Sequence, residues 1–253
     1  GAAEYDYFGY SVAMSADAKT LVVGAEGWNN KTGYVKVYHT NDDGWNTMQL
    51  LGQSLLGDAI DDFFSDSVDM SPDGKTVAIG SPGSYDVNDC PGYVQVFYLE
   101  SDGLTSSWTQ LGQDITGEDI EDQFGISVSL FGDGKTLAVG ANTHDGNGGS
   151  SGCVRIYHLE DDGTSNWEQI SQDFYGEAAG DNSGWTVSLS ADGTTVAIGA
   201  PWNDDNGDKS GQVRVYQIDS AGSTWEQLGQ DINGDAVGDY FGHYVDISSD
   251  GKT

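Results

Sequence analysis

Short runs of alternating apolar and polar residues recur along the chain, with glycine and aspartate between them. In the clearest stretch, residues 117–141, Ile126, Val128 and Leu130 share one face and Ser127 and Ser129 the other. A period of two marks a β-strand with one face buried. Asp133-Gly134 follows, and Asp-Gly between two apolar runs predicts a hairpin, because a tight turn needs positive φ. Residues 136–139 form the return strand, which runs into Gly140-Ala141. The same unit opens at residues 1–25, 57–81 and 176–200 and, cut short, at 234–253.

Thr20, Thr76, Thr136, Thr195 and Thr253 close the five hairpin turns, at separations of 56, 60, 59 and 58 residues. A fixed period of this length is the sequence signature of a repeat protein. Each copy carries an aspartate (Asp6, Asp62, Asp122, Asp181, Asp239) and, two residues on, Phe8, Phe64, Phe124, Ser183 or Phe241. Beyond the hairpin lies a third alternating run, Tyr34-Val-Lys-Val-Tyr38, and its equivalents begin at Tyr93, Cys153 and Gln212. There Val or Ile faces one way, and Lys36, Gln95, Arg155 and Arg214 the other. A fourth segment opens on Trp108, Trp167 or Trp225 and continues to Gln113, Gln172 or Gln230, while Met48 fills the tryptophan slot of the first unit.

Four strands per unit and no helical period predict an all-β protein, a β-propeller of four-stranded antiparallel blades. The units span residues 1–56, 57–116, 117–175 and 176–233, with part of a fifth at 234–253. A blade cannot bury both faces alone, so aromatic and branched residues are expected between blades. A closed ring ending on an unpaired hairpin arm would expose a sheet edge, so the expectation is part of a larger ring.

Asp-x-Phe-Gly-x-Ser-Val, followed about fifteen residues later by Val-Gly-Ala, resembles the FG-GAP repeat of integrin α-type propellers, and the likeness runs through all five copies. The resemblance implies a seven-bladed β-propeller on an extracellular protein, serving adhesion or ligand binding without catalysis. The chain departs from that family at the Asp-x-Asp-x-Asp-Gly calcium loop. Ser71-Pro-Asp-Gly-Lys-Thr76 and its equivalents offer one or two carboxylates, against the six to eight oxygens calcium takes. The family's metal sites are therefore not expected here.

Of the 253 residues, 41 are acidic and 9 basic, a formal charge of −32. Such a balance excludes nucleic acid and anionic membrane surfaces as partners, since both need a basic patch. The 37 glycines suit many tight turns. No apolar run approaches the ~18 residues of a membrane span, so no membrane insertion is expected. Two cysteines are too few for a disulfide framework. Cys90 and Cys153 both lie near the start of a third strand, in adjacent blades, which leaves a staple between them possible in principle.

The loops between second and third strands differ among copies and emerge on one face. They are AEGWNNKTG (25–33), SPGSYDVNDCPG (81–92), ANTHDGNGGSSG (141–152) and APWNDDNGDKSG (200–211). Trp28, Tyr85 and Trp202 beside Asp86, Asp145, Asn147, Asp204 and Asp205 compose a candidate ligand surface, since aromatic platforms next to polar groups suit glycan or protein recognition. Plain solvated connections are the competing reading. Calcium could bind these loops, although none completes an EF-type ligand spacing. Asn30-Lys-Thr32 is an N-glycosylation acceptor pattern. The repeated aspartates read as turn residues, since a single binding site would not recur in every blade. His39 and His158 share a repeat slot, and no nucleophile elbow or zinc motif is present.

These features point to a non-catalytic extracellular or cell-surface propeller, acidic and glycosylated, that binds protein or glycan in adhesion. A structural coat or filament built by self-association is the alternative. A carbohydrate-active enzyme ranks third.

Overall fold

A computed structural model describes residues 4–42, 45–83, 90–101, 105–160, 166–219 and 224–253. Among these residues the strands form four separate antiparallel sheets, one per complete unit. In the third unit the order is Phe124–Leu130, Thr136–Ala141, Cys153–Leu159 and Trp167–Gln169, with Phe174–Tyr175 also pairing with the third strand. The other units repeat this order, with inner strands Val12–Met14, Ser67–Met70 and Thr186–Leu189. The fold is a β-propeller.

The predicted fourth strand is interrupted. Trp225–Gln227 ends before Gly229, and the chain resumes pairing at Ile232–Asn233. Gly52, Gly112 and Gly229 have φ of +74°, +79° and +81°, a left-handed bend that glycine adopts without a Cβ penalty. At the first two of these bends the following glutamine, Gln53 or Gln113, leaves its own sheet and crosses to the next unit.

The apolar residues bury between blades, as the repeat pattern requires. One cluster joins Val94, Val96 and Ile115 of the second unit to Phe124, Val128, Leu137 and Trp167 of the third. Equivalent clusters join the first unit to the second and the third to the fourth. Trp108, Trp167 and Trp225 are 3, 4 and 4% exposed, which makes them packing residues and not ligand platforms.

In the third unit the face of the inner strand that the alternation marks as polar is buried as well. Ser67 and Ser127 donate to the carbonyls of Gly125 and Gly184 in the next unit, at 2.8 Å each. Ser129 accepts the Leu189 N–H at 3.0 Å, and Asp69 accepts that of Leu130 at 2.6 Å. On the third strands, Gln95, Arg155 and Arg214 are buried. Arg155 bridges Glu118 at 2.8 Å and Asp173 at 3.0 Å.

Cys90 and Cys153 are free thiols, and no staple joins them. Cys90 packs against the cluster between the first and second units, whereas the Cys153 backbone closes on Gly184 of the fourth. The two cysteines serve different blade boundaries, which is why adjacency in the repeat does not bring them together.

Candidate binding site at the channel mouth

The inner strands surround a channel. Val12, Val68, Val128, Val187 and Val245 line two cavities that meet at this valine collar. One cavity, of about 280 Å³, reaches past Asp69, Ser129, Ser188 and Asp246 toward the hairpin turns. The other, of about 480 Å³, opens toward the second-to-third-strand loops and is rimmed by Tyr10, Asp66, Ile126, Trp185 and His243. Those five occupy one repeat slot, the residue after the Phe-Gly pair or its substitute. The backbone repeats there while the side chain changes in every unit.

Aromatic rings run from the loops to this mouth. Trp202 stacks on Trp185 with centroids 6.2 Å apart and planes at 28°. Trp185 lies 5.3 Å from His243, and His243 lies 4.8 Å from Tyr244. Lys209 Nζ sits 5.1 Å from the Trp202 ring centroid. Trp202 is 40% exposed and Tyr244 87%.

Elsewhere on the mouth, the carboxyl of Asp66 lies against that of Glu26. Burial, then the Glu26 carboxyl, hold Asp66 well above the usual carboxylate range. The charge of Asp66, with burial and the charge of Glu26, pushes the Tyr10 phenol up to about 12.

The loop residues singled out by sequence divide sharply. Trp202 belongs to the aromatic run. Trp28 is half-buried and packs edge-on to Tyr34, 5.6 Å between centroids. Asp145 accepts the Ser150 N–H at 2.8 Å, and Asp204 that of Lys209 at 2.7 Å. Asn147 donates to the Gly176 carbonyl at 2.8 Å. The two aspartates shape their own loops, and Asn147 ties its loop to the start of the next unit. Asp205 accepts from Gln212 at 3.1 Å and lies among Glu177 and Asp231, ligand-type oxygens within 4.8 Å of one another. Partial burial and the charges of Glu177, Asp181 and Asp231 raise Asp205. Tyr85 and Asp86 lie outside the described residues.

The loops are also pinned to the neighbouring blade. Asp61 and Phe63 donate backbone N–H groups to Asn30 and Lys31, at 3.1 and 2.9 Å. Asn182 does the same to Ser150, and Tyr240 to Lys209, at 3.1 Å each. Residues Trp28–Lys31 form a helical turn where sequence predicts none, with Asn29 and Asn30 at φ +51° and +58°. Asparagine tolerates this left-handed conformation better than most residues, and Asn30 projects into solvent.

The recurrent aspartates hold turns. Asp62, Asp122, Asp181 and Asp239 accept the N–H of Ala59, Asp119, Ala178 and Ala236 at 2.8–3.2 Å. In the hairpins, Asp17, Asp73, Asp192 and Asp250 accept from Ser15, Ser71, Ser190 and Ser248 at 2.6–2.8 Å. Carboxylates already spent on their own turns do not make a calcium loop, so the family's metal does not fit there. His39 and His158 each meet a threonine hydroxyl across the sheet, at 3.0 and 2.9 Å, as a repeat position should.

The two glycines of each unit explain one another. A Cβ on Gly80, Gly140 or Gly199 would collide with the carbonyl oxygen of Gly125, Gly184 or Gly242 in the next unit. The Phe-Gly and Val-Gly-Ala elements are thus the two sides of one blade contact. The sequence matches the FG-GAP repeat family over residues 1–38, 113–157 and 176–216. These three segments are FG-GAP repeats. The second unit lies outside those matched segments, and there Ser65 replaces the glycine.

No curated protein matches the chain in sequence. Among solved structures, the periplasmic gluconolactonase PpgL of Pseudomonas aeruginosa aligns with a TM-score of 0.58 at 19% identity, covering 90% of this chain and 58% of that one. Sqt1 from Chaetomium thermophilum gives 0.55 at 13%, covering 91% and 50%. These likenesses are to the fold. The chain spans only 58% and 50% of the length of those two proteins.

Proposed function

We propose that this FG-GAP propeller is a non-catalytic module that binds a glycan on its loop face, at the mouth of the channel. The observation that carries this reading is the aromatic run Trp202–Trp185–His243–Tyr244 beside acids and hydroxyls. Sugar rings present C–H faces that pack on indole and phenol rings, and hydroxyls that suit carboxylate acceptors. The rim varies where the scaffold repeats, as recognition on a fixed frame requires. Screening the protein on a glycan array, followed by titration of a hit, tests the reading. Trp185→Ala is expected to weaken binding at least tenfold, and Trp202→Ala less. A hit bound equally well by Trp185→Ala overturns it.

An extracellular or surface location accompanies this proposal. It is supported by the Asn30-Lys-Thr32 pattern, in which Asn30 is exposed, and by the acidity of the chain. Secretion from a eukaryotic host should yield a glycosidase-sensitive mass increment that Asn30→Gln removes.

A hydrolytic reading has one observation in its favour. A carboxyl held well above the usual carboxylate range by burial and a neighbouring acid, as Asp66 is, has the environment of a general acid. One protein of similar fold is a gluconolactonase. Turnover of a sugar δ-lactone that Asp66→Asn abolishes would replace the binding reading with this one.

A further inference from the structure

The cavity at the loop end of the channel changes character with depth. Tyr10, Asp66, Ile126, Trp185 and His243 rim it, polar or aromatic in four units of the five. Two residues further along the chain in every unit comes a valine, and these five valines form the floor. The serines between the two levels are engaged elsewhere. Ser67 and Ser127 give their protons to the carbonyls of Gly125 and Gly184, and Ser11 accepts the Val68 N–H at 2.9 Å. A ligand seated at full depth therefore meets polar groups and rings at its upper edge and aliphatic carbon beneath.

An occupant has to match both levels. The rim suits a sugar ring, whose C–H face packs on the Trp185 indole and whose hydroxyls suit the Asp66 carboxyl, the His243 ring and the Tyr10 phenol. The floor suits a methyl group and rejects a hydroxyl. A hydroxyl carried onto the valines gives up its bonds to water with nothing to replace them, whereas a methyl gains by leaving water. An N-acetyl group brings its methyl together with an amide that the floor cannot pair. The volume of about 480 Å³ lies low in the range of small-molecule sites, room for roughly one or two sugar rings and not for a long run of them. With 41 acidic residues against 9 basic ones, and Asp66 on the wall, an anionic sugar is repelled.

We propose that the channel mouth selects a neutral glycan end whose terminal residue is a 6-deoxyhexose, seated with its methyl group on the valine floor. The inference rests on the glycan reading above, and adds to it the class of sugar and the part of the chain that is held. The aromatic run from Trp202 to Trp185 then receives the rings that follow the terminal one, outside the cavity. Selectivity is set by the valines and affinity by the rings, so the two can be altered separately.

Two pairs of soluble probes test this: methyl α-L-fucoside against methyl α-L-galactoside, and methyl α-L-rhamnoside against methyl α-L-mannoside. The members of each pair differ only by a hydroxyl on C6. Calorimetric titration should show the 6-deoxy member of at least one pair binding about tenfold more tightly or better, a discrimination within reach of an apolar pocket. Val128→Thr places a hydroxyl on the floor and should cut that preference roughly threefold or more, since the C6 hydroxyl then has a partner. Val12→Thr makes the same change at a residue 57% exposed, where folding is not at stake, and should act in the same direction. Trp185→Ala should weaken both members of a pair alike, which reports on glycan binding alone. Equal binding within both pairs, or a preference that neither valine variant alters, overturns the inference and leaves the glycan reading standing. Binding of none of the four probes also overturns it, and the glycan reading falls with it only if the glycan array is blank as well.

Discussion

The side-chain amide of Gln113 clasps the backbone of Trp167 across a blade boundary. Gln113 Oε1 accepts the Trp167 N–H at 2.9 Å and Nε2 donates to the Trp167 carbonyl at 2.9 Å. The Trp167 indole N–H completes the contact on the Leu111 carbonyl, 2.8 Å away. Gln53 and Trp108 repeat the arrangement one boundary earlier. The clasp explains why tryptophan and glutamine recur in register: each outer strand ends by holding the start of the next.

Breaking the clasp should therefore separate blades before it disrupts either blade. Trp167→Ala removes a buried indole and is expected to cost ~3–5 kcal/mol. Gln113→Ala leaves two buried backbone groups unpaired, at ~1–3 kcal/mol. Urea denaturation midpoints check both, and a loss under about 1 kcal/mol for Trp167→Ala would contradict the packing role.

The paired glycines give a sharper test of the family signature. Gly140→Ala would drive a methyl into the Gly184 carbonyl, a backbone atom that cannot swing aside. Overpacking of this kind costs ~1–3 kcal/mol. Gly149→Ala, with nothing within 4 Å of its added carbon, should stay within about 0.5 kcal/mol of the parent protein. Equal melting temperatures for the two variants would sink the explanation.

Those residues mark what was legible in the sequence. Period-two alternation and the Asp-Gly turns fix the strands, and agreement among copies identifies the tryptophans and turn aspartates as structural. The site was less legible. Alternation assigns Ser127 and Ser129 to an outer face, yet the neighbouring blade covers that face too, so they are latches between blades, while Arg155 is buried against acids of its own unit. Asp145, Asn147 and Asp204 read as available because spacing cannot reveal which polar groups are spent on backbone bonds, within the loop or to the next unit. Trp185, Asp66 and Tyr10 sit beside the strongest repeat motif, whose regularity masks them. Variation at that one slot, among copies otherwise alike, was the signal that could have found them.

Asp69 should make stability fall as pH rises. Burial, only partly offset by the Leu130 and Met70 N–H bonds, together with the facing charge of Asp246, pushes its carboxyl up to about 6. A folded-state value above the unfolded one means that the native state holds the proton more tightly. The contribution is then full below about pH 4 and is lost as pH rises through about 6. Asp69→Ser copies Ser129 and Ser188 and can still accept the Leu130 N–H. It should stabilise the protein by ~1–3 kcal/mol at pH 7 and by little at pH 4. A stability difference between the two proteins that does not change with pH would rule this out.

The two thiols should separate cleanly by reactivity. Cys153 is 1% exposed, and burial pushes its thiol up to about 12. At pH 7 the reactive thiolate is then on the order of one part in 10⁵, and the reagent must also reach it through a closed blade boundary. Cys90 sits half-buried at the loop face, outside that boundary. A disulfide reagent added to the native, unreduced protein should label Cys90 first. Cys153 should react only at the rate of local opening, so urea should raise the total from one thiol to two. Cys90→Ser should leave a native protein that is almost silent until it is unfolded. Detecting no thiol in the unfolded, unreduced protein would mean that the two cysteines are bonded after all, and that the blade boundaries they serve lie closer than described.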